Sequence, residues 1–204
     1  MKVLLINGSP KAAGCTFTAL SEVAGELQKN GIETEMFQLG SKAVHGCIAC
    51  HKCEETSRCV FNDDGANACI EAMAQADGIV VGSPVYYAGP NGALCAMLDR
   101  VFYAADDLFA YKPAAAVVSC RRGGSTAALD RLQKYFTIAN MPVVPSQYWN
   151  MVHGHTPEEV RQDKEGLQTM RVLGHNMAAM LKAFNKAGGV PAFEEQRIAT
   201  NFIR

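Results

Sequence analysis

Apolar positions along the chain follow two rhythms. Short unbroken runs, as in Lys2 to Asn7, Gly78 to Val81 and Ala114 to Ser119, fit strands buried on both faces. Elsewhere apolar residues recur every three or four positions, as in helices with one buried stripe. The first run leads into a helical stretch from about Thr16 to Asn30, with Gly31 placed to close it in a left-handed conformation. Thr34 to Leu39 reads as a second strand, and after a cysteine-rich segment a helix from about Gly65 to Ala76 leads into the third, which is followed by the loop GSPVYYAGPN. Helices at Gly92 to Ala104 and Thr126 to Ala139 alternate with the fourth strand and a short fifth near Pro142 to Pro145, and a last helix spans roughly Pro157 to Ala187. Five strands separated by helices predict an α/β fold: a doubly wound five-stranded parallel sheet in three α/β/α layers, because parallel neighbours need crossovers of this length. The pattern predicts one domain over residues 1–189, with a cysteine-rich insertion at 45–62, and an aperiodic tail at 190–204.

At 204 residues and 49% hydrophobic, the chain can bury a single sizeable core. Its formal charge of −1, with no block of like charge, argues against a nucleic-acid partner or a basic membrane patch and leaves small soluble partners. The opening MKVLLINGSP has an apolar run too short for a signal peptide or a membrane span, so a cytoplasmic protein is expected. There the eight cysteines should stay thiols.

In doubly wound sheets ligands bind beyond the carboxyl ends of the strands, where strand order reverses, so the loops after the first, third and fourth strands should share a site. They read GSPKAAGCT, GSPVYYAGPNG and SCRRGGST, rich in serine and in small residues that let backbone amides face a ligand. The first departs from the ATP-binding patterns GxxxxGKS and GxxxxGKT, with five residues between Gly8 and Gly14 and Cys15 in place of the lysine. It also lacks the glycine spacing of dinucleotide folds. What it offers is hydroxyls at Ser9 and Thr16, a cation at Lys11 and a helix N-terminus, a set suited to a monophosphate dianion. The residues alone leave open a plainer role, in which Thr16 caps its helix and Gly8-Ser9-Pro10 turns the chain. In the second loop a Ser-Pro turn sets Val85, Tyr86 and Tyr87 at a strand end, where they could border a flat heteroaromatic ring or pack at the sheet edge.

Two stretches carry a family resemblance. GSPKAAGCT at the first loop and GSPVYYAGPNGALCAMLDR at the third strand resemble the flavodoxin-like NADPH-dependent FMN reductase superfamily, over a span from Met1 to about Ser125. The resemblance implies a flavodoxin-like sheet in which Ser9, Lys11, Cys15 and Thr16 hold the phosphate of FMN, with Cys15 standing where asparagine is more usual. It further implies that Pro84, Val85, Tyr86 and Tyr87 border the isoalloxazine ring, and that Ser119 to Gly124, with Arg121 and Gly123, close its other edge. Arg121 and Arg122 would place positive charge near the reduced ring, attract the phosphates of a nicotinamide donor, or stand as a solvated pair.

Before the helix at Gly65, HGCIACHKCEETSRCVFNDDG sets Cys47, Cys50, Cys53 and Cys59 in the spacing C-x2-C-x2-C-x5-C. Overlapping CxxC pairs can wrap a corner of a compact iron-sulfur cluster that a fourth cysteine closes, as ferredoxin runs do with another fourth spacing. A structural zinc usually takes two separated CxxC knuckles, and a loop of metal-free thiols is the third alternative. The spacing is similar, ligand for ligand, to the cysteine motif of the iron-sulfur flavoproteins, a branch of the same superfamily, which implies a 4Fe-4S cluster on these four residues. His45 and His51 read as loop residues without a role. Cys69, Cys95 and Cys120 read as small buried hydrophobes, and Met170, Met177 and Met180 as core or a subunit contact.

With FMN carrying the chemistry no side chain need act as nucleophile or general base, so no catalytic residue is assigned. The resemblance implies an FMN-dependent oxidoreductase that takes electrons from a reduced donor such as NAD(P)H. It would pass them to a small acceptor such as a quinone, nitro or azo compound, with the 4Fe-4S cluster as a one-electron partner. The alternative is an electron-transfer flavoprotein serving protein partners such as ferredoxin, although dedicated carriers tend to be strongly acidic and this chain is not. A redox sensor is a third. The superfamily habit of dimerising implies a homodimer or higher homo-oligomer.

Overall fold

The strands run β1 (Lys2–Asn7), β2 (Glu33–Gln38), β3 (Gly78–Tyr86), β4 (Gly89–Pro90), β5 (Ala114–Cys120) and β6 (Met151–His153). Five of them form a parallel sheet in the order β2-β1-β3-β5-β6, and β4 pairs antiparallel with the end of β3. The helices are α1 (Cys15–Lys29), α2 (Cys53–Thr56), α3 (Ala66–Gln75), α4 (Gly92–Ala105), α5 (Ser125–Ile138), α6 (Pro157–Val160) and α7 (Lys164–Lys186). This computed structural model describes residues 1–191, 193–195, 198 and 200. Of the expected tail at 190–204, positions 192, 196, 197, 199 and 201–204 lie outside the described residues.

Strand order reverses between β1 and β3, so the carboxyl ends of those two strands open a crevice. Helices cover both faces, which is why KVLLIN and AAAVVSC are continuous apolar runs instead of alternating ones. On one face α1 and α7 bury Leu20, Val23, Leu27, Leu173 and Met177 against the sheet. On the other, α3, α4 and α5 bury Ile70, Met73, Met97, Leu98 and Phe136. Each such side chain contributes roughly 1.5–3 kcal/mol by leaving water. Met170 and Met177 are fully buried and Met180 partly so, which makes the methionines of the last helix core residues. Among the described residues no helix is long and apolar enough to cross a membrane.

The structure corrects three expectations. The fifth strand lies at Met151–His153 and not near Pro142 to Pro145. Val143 forms only an isolated bridge to Ala114, because Pro145 has no N–H to extend the ladder. The chain then detours until the Asn150 carbonyl accepts from Val118 N at 3.0 Å. The last helix is two helices, since Asp163 caps α7 by accepting from Gly166 N at 2.9 Å. The third strand continues through Tyr86 instead of ending in a loop at Val81.

Candidate functional site

The loops after β1, β3 and β5 converge as the strand order requires. Gly8 N donates to the Gly82 carbonyl at 2.8 Å, and Asn91 Nδ2 donates to the Gly8 carbonyl at 2.7 Å. Beneath the first loop, Asn7 Oδ1 accepts from Ser9 N at 3.2 Å and Gln38 Nε2 donates to the Ser9 carbonyl at 2.7 Å, so β1 and β2 fix its backbone. Ser9 Oγ accepts from Lys11 N at 3.1 Å, and Lys11 is exposed. The first turn of α1 has Gly14 at its N-cap and no side chain capping it among the described residues. Its amides and the positive end of its dipole therefore face the loop. Ser9, Lys11 and the amide end of α1 at Cys15 thus lie together in the loop beyond β1.

Thr16 does something else. It lies inside α1, is buried, and its hydroxyl stands 2.9 Å from the Ser119 hydroxyl, which ties the first loop to the third. The Cys15 thiol points toward the Gly154 carbonyl at 3.8 Å, and burial pushes its pKa up.

The second loop is a hairpin. Val85 pairs with Pro90 and Tyr86 with Gly89, and the turn residues Tyr87 and Ala88 have φ of +48° and +60°. Positive φ at both central positions is the twist a two-residue hairpin needs, usually supplied by Asn-Gly; here Tyr and Ala are held in it at some cost. The base of the hairpin is locked by Ser83, whose Oγ accepts from Asn91 N at 2.9 Å and donates to the Pro84 carbonyl at 2.8 Å. The turn presents Tyr86, half exposed, and Tyr87, fully exposed. In the third loop Gly124 has φ of +89°, and a Cβ there would lie 2.7 Å from Ala88 Cα, so this loop closes directly on the hairpin. Arg121 and Arg122 are exposed and their side chains make no ion pair among the described residues. Pro84 and Val85 are half-buried. Gly123 is exposed, and a Cβ there would meet no described atom within 4 Å, so the third loop is open on its solvent side.

The four cysteines line one concavity, together with Ile48, Phe61, Tyr103 and Ala104. Cys47 and Cys50 are exposed, Cys53 and Cys59 half-buried. Ala49, His51 and Ser57 all have positive φ, so the loop is wound tightly around the concavity. Asn67 holds its far end: Oδ1 accepts from Cys59 N at 2.8 Å, and Nδ2 donates to the carbonyls of Cys59 and Phe61 at 2.9 and 3.0 Å. Among the described residues, the ligand atoms that gather within 4.8 Å of one another are those of His45, Asp63 and Asp64, not the thiols. Four cysteine thiols lining one concavity are the donor chemistry of an iron-sulfur cluster or of a structural zinc. His45 stacks on Phe61 at 4.3 Å, and His51 Nδ1 lies 2.7 Å from a Glu54 carboxylate oxygen.

Cys69 is fully buried beneath this loop, and burial pushes its thiol up to about 12. At pH 8 roughly one in ten thousand of these thiols is ionised, so alkylation of the folded, metal-stripped protein should modify Cys47 and Cys50 readily and leave Cys69 untouched until denaturant is added. Peptide mass mapping after iodoacetamide treatment checks this.

Sequence reasoning missed Asn91, Asn67 and Arg100. Asn91 was open to it, as an Asn before a helical stretch is an N-cap signal, and its side chain does accept from Ala93 N at 3.2 Å. The partners of Asn67 and Arg100 depend on tertiary folding.

The model of the family "NADPH-dependent FMN reductase" matches residues 1–156. An iron-sulfur flavoprotein of Methanocaldococcus jannaschii is 32% identical over 197 residues, covering 91% of this chain and 100% of that protein. The crystal structure of RosB with bound 8-demethyl-8-formylriboflavin-5'-phosphate superposes with a TM-score of 0.75 at 13% identity, covering 100% of this chain and 92% of that one. A WrbA-like flavodoxin from Agrobacterium tumefaciens does so with a TM-score of 0.61 at 14% identity, covering 89% and 97%. These two likenesses show a flavodoxin-like fold.

Proposed function

Because the chain belongs to the NADPH-dependent FMN reductase family, in its iron-sulfur flavoprotein branch, we propose that it is an oxidoreductase that passes electrons from a reduced donor, through FMN and a 4Fe-4S cluster, to a small acceptor. One observation carries this reading. Helix α4 spans both sites: Asn91 at its start pins the first loop, while Tyr103 and Ala104 near its end line the cysteine concavity.

In this reading Ser9, Lys11 and the amide end of α1 at Cys15 take the FMN phosphate. Thr16 and Ser119 hold the two loops at fixed spacing. Pro84, Val85, Tyr86 and Tyr87 border the ring and shield it from water, with Gly123 and Gly124 opposite and the Arg121 and Arg122 guanidiniums supplying positive charge. Cys47, Cys50, Cys53 and Cys59 are the cluster ligands. When bound, FMN supplies two-electron and one-electron redox chemistry and the cluster one-electron transfer. NAD(P)H is the donor, a quinone, nitro or azo compound the class of acceptor, and a cytoplasmic homodimer or higher homo-oligomer the working form.

A second reading, an electron-transfer flavoprotein loaded by a protein such as ferredoxin, draws support from Ile48, Val60 and Tyr103. These apolar side chains are about half exposed or more at the rim of the concavity, as a docking surface would be. Anaerobic mixing of the holoprotein separates the two. Rapid bleaching of the flavin by NADPH or NADH supports the enzyme, whereas bleaching by reduced ferredoxin alone supports the carrier.

A further inference from the structure

Arg100 is the most completely enclosed cation described in the chain. It projects from α4 toward the cysteine loop and is 2% exposed. Its Nε donates to Cys59 Sγ at 3.0 Å, and Nη1 donates to the His45 carbonyl at 3.1 Å and to the Asp64 carboxylate. Nη2 reaches the Phe61 carbonyl at 3.4 Å, and the guanidinium lies 5.3 Å from the Phe61 ring centroid. The Asp64 side chain is equally buried, and its carboxylate also accepts from His45 N at 2.8 Å. Burial pushes the Asp64 carboxyl up, but Arg100 and the amides of His45 and Ala66 outweigh it and hold its pKa below the usual value.

Taking both charges out of water costs several kcal/mol per ion, and apolar packing of similar volume is often as stable, so a buried pair here is weakly explained by stability alone. The arrangement makes better sense as orientation. Asp64 and two carbonyls accept from three of the four Nη donors and fix the guanidinium plane, with Nε–H aimed at one sulfur. Hydrogen bonds to ligand sulfurs and net charge nearby both set the potential of an iron-sulfur centre.

We infer that Arg100 is a positioning residue for the cysteine loop that raises the reduction potential of the centre held there, through its Nε–H hydrogen bond to Cys59, with Asp64 orienting the guanidinium. The inference rests on the proposed cluster. One-electron reduction adds one negative charge to the centre, and a fixed donor on a ligand sulfur stabilises that added charge more than the oxidised state.

The test is a reductive titration of anaerobically prepared holoprotein followed by EPR, with iron and sulfide counted on each sample. Replacing both residues, Arg100→Met with Asp64→Asn, keeps the net charge but removes the donor, and should disfavour reduction at least tenfold, a fall of about 59 mV. Asp64→Asn alone leaves an amide oxygen that can still accept from Nη1 and so keeps the donor aimed, while it removes a negative charge, so the potential should rise. Loss of support for the loop would not produce opposite signs. An unchanged potential in the double variant with wild-type iron content, or shifts of the same sign in both, overturns the inference. If the double variant binds no iron, Arg100→Lys is titrated in its place: it keeps the positive charge but loses the Nε–H, so a fall in potential supports the inference and an unchanged or raised potential overturns it. Wild-type protein without iron instead overturns the cluster reading, and the inference with it.

Discussion

Replacing Cys50 by alanine should remove the iron and leave the flavin. Cys50 is exposed, so the apo chain should lose no more than about 0.5 kcal/mol, the usual range for surface changes. The sheet, α1 and the three strand-end loops are built without it. Yet it is one of four thiols lining the concavity, and in the proposed function it is one of the four cluster ligands. The expected result is a fall from about four irons per chain to near none, with FMN content and apo melting temperature unchanged. Iron retained at the wild-type level would show that Cys50 is not a ligand. Loss of flavin together with iron would show that the two sites are not separable as described.

Gly8→Ala should do the reverse. A Cβ at Gly8 would lie 2.7 Å from the Gly82 carbonyl oxygen and 2.4 Å from Leu94 Cδ2. Leu94 can rotate, but the Gly82 oxygen is backbone in β3 and accepts from Gly8 N itself, so the junction between the first and second loops must open. Overpacking of this kind costs about 1–3 kcal/mol. The strain falls where Ser9 and the amide end of α1 must be placed for the phosphate, so FMN affinity should drop roughly tenfold or more. The cysteine loop should still take up its iron. Fluorescence titration of the apoprotein with FMN, alongside iron analysis, reads both effects; unchanged FMN affinity would remove the first loop from the site.

Apart from α2, β4 and the far end of β3, the strands and helices of the first 140 residues were legible in the sequence, because strands buried on both faces must be continuous apolar runs and the helices carry a single stripe. Gly31 was readable for the same local reason, and it does adopt φ of +76°. What failed was set by distant partners. An edge strand of three residues has too little pattern to identify it, and the apolar pair beside Pro142 and Pro145 is more strand-like than MVH. Tyr87 and Ala88 carry no mark of a two-residue turn, because the strain is held by packing against Gly124, well over thirty positions away. The candidate site was partly legible: spacing and residue type singled out Ser9 and Lys11, which share the first loop, and the four cysteines, which line one concavity. That Thr16 faces Ser119 and that Arg100 reaches Cys59 required the fold to bring together residues 103 and 41 positions apart.

The central claim is that one chain carries both a flavin site and an iron-sulfur site. The most direct measurement is to purify the full chain without oxygen and count FMN, iron and acid-labile sulfide on the same sample. One FMN with about four irons and four sulfides per chain is the expected result. Protein that lacks either flavin or iron after anaerobic reconstitution would contradict it.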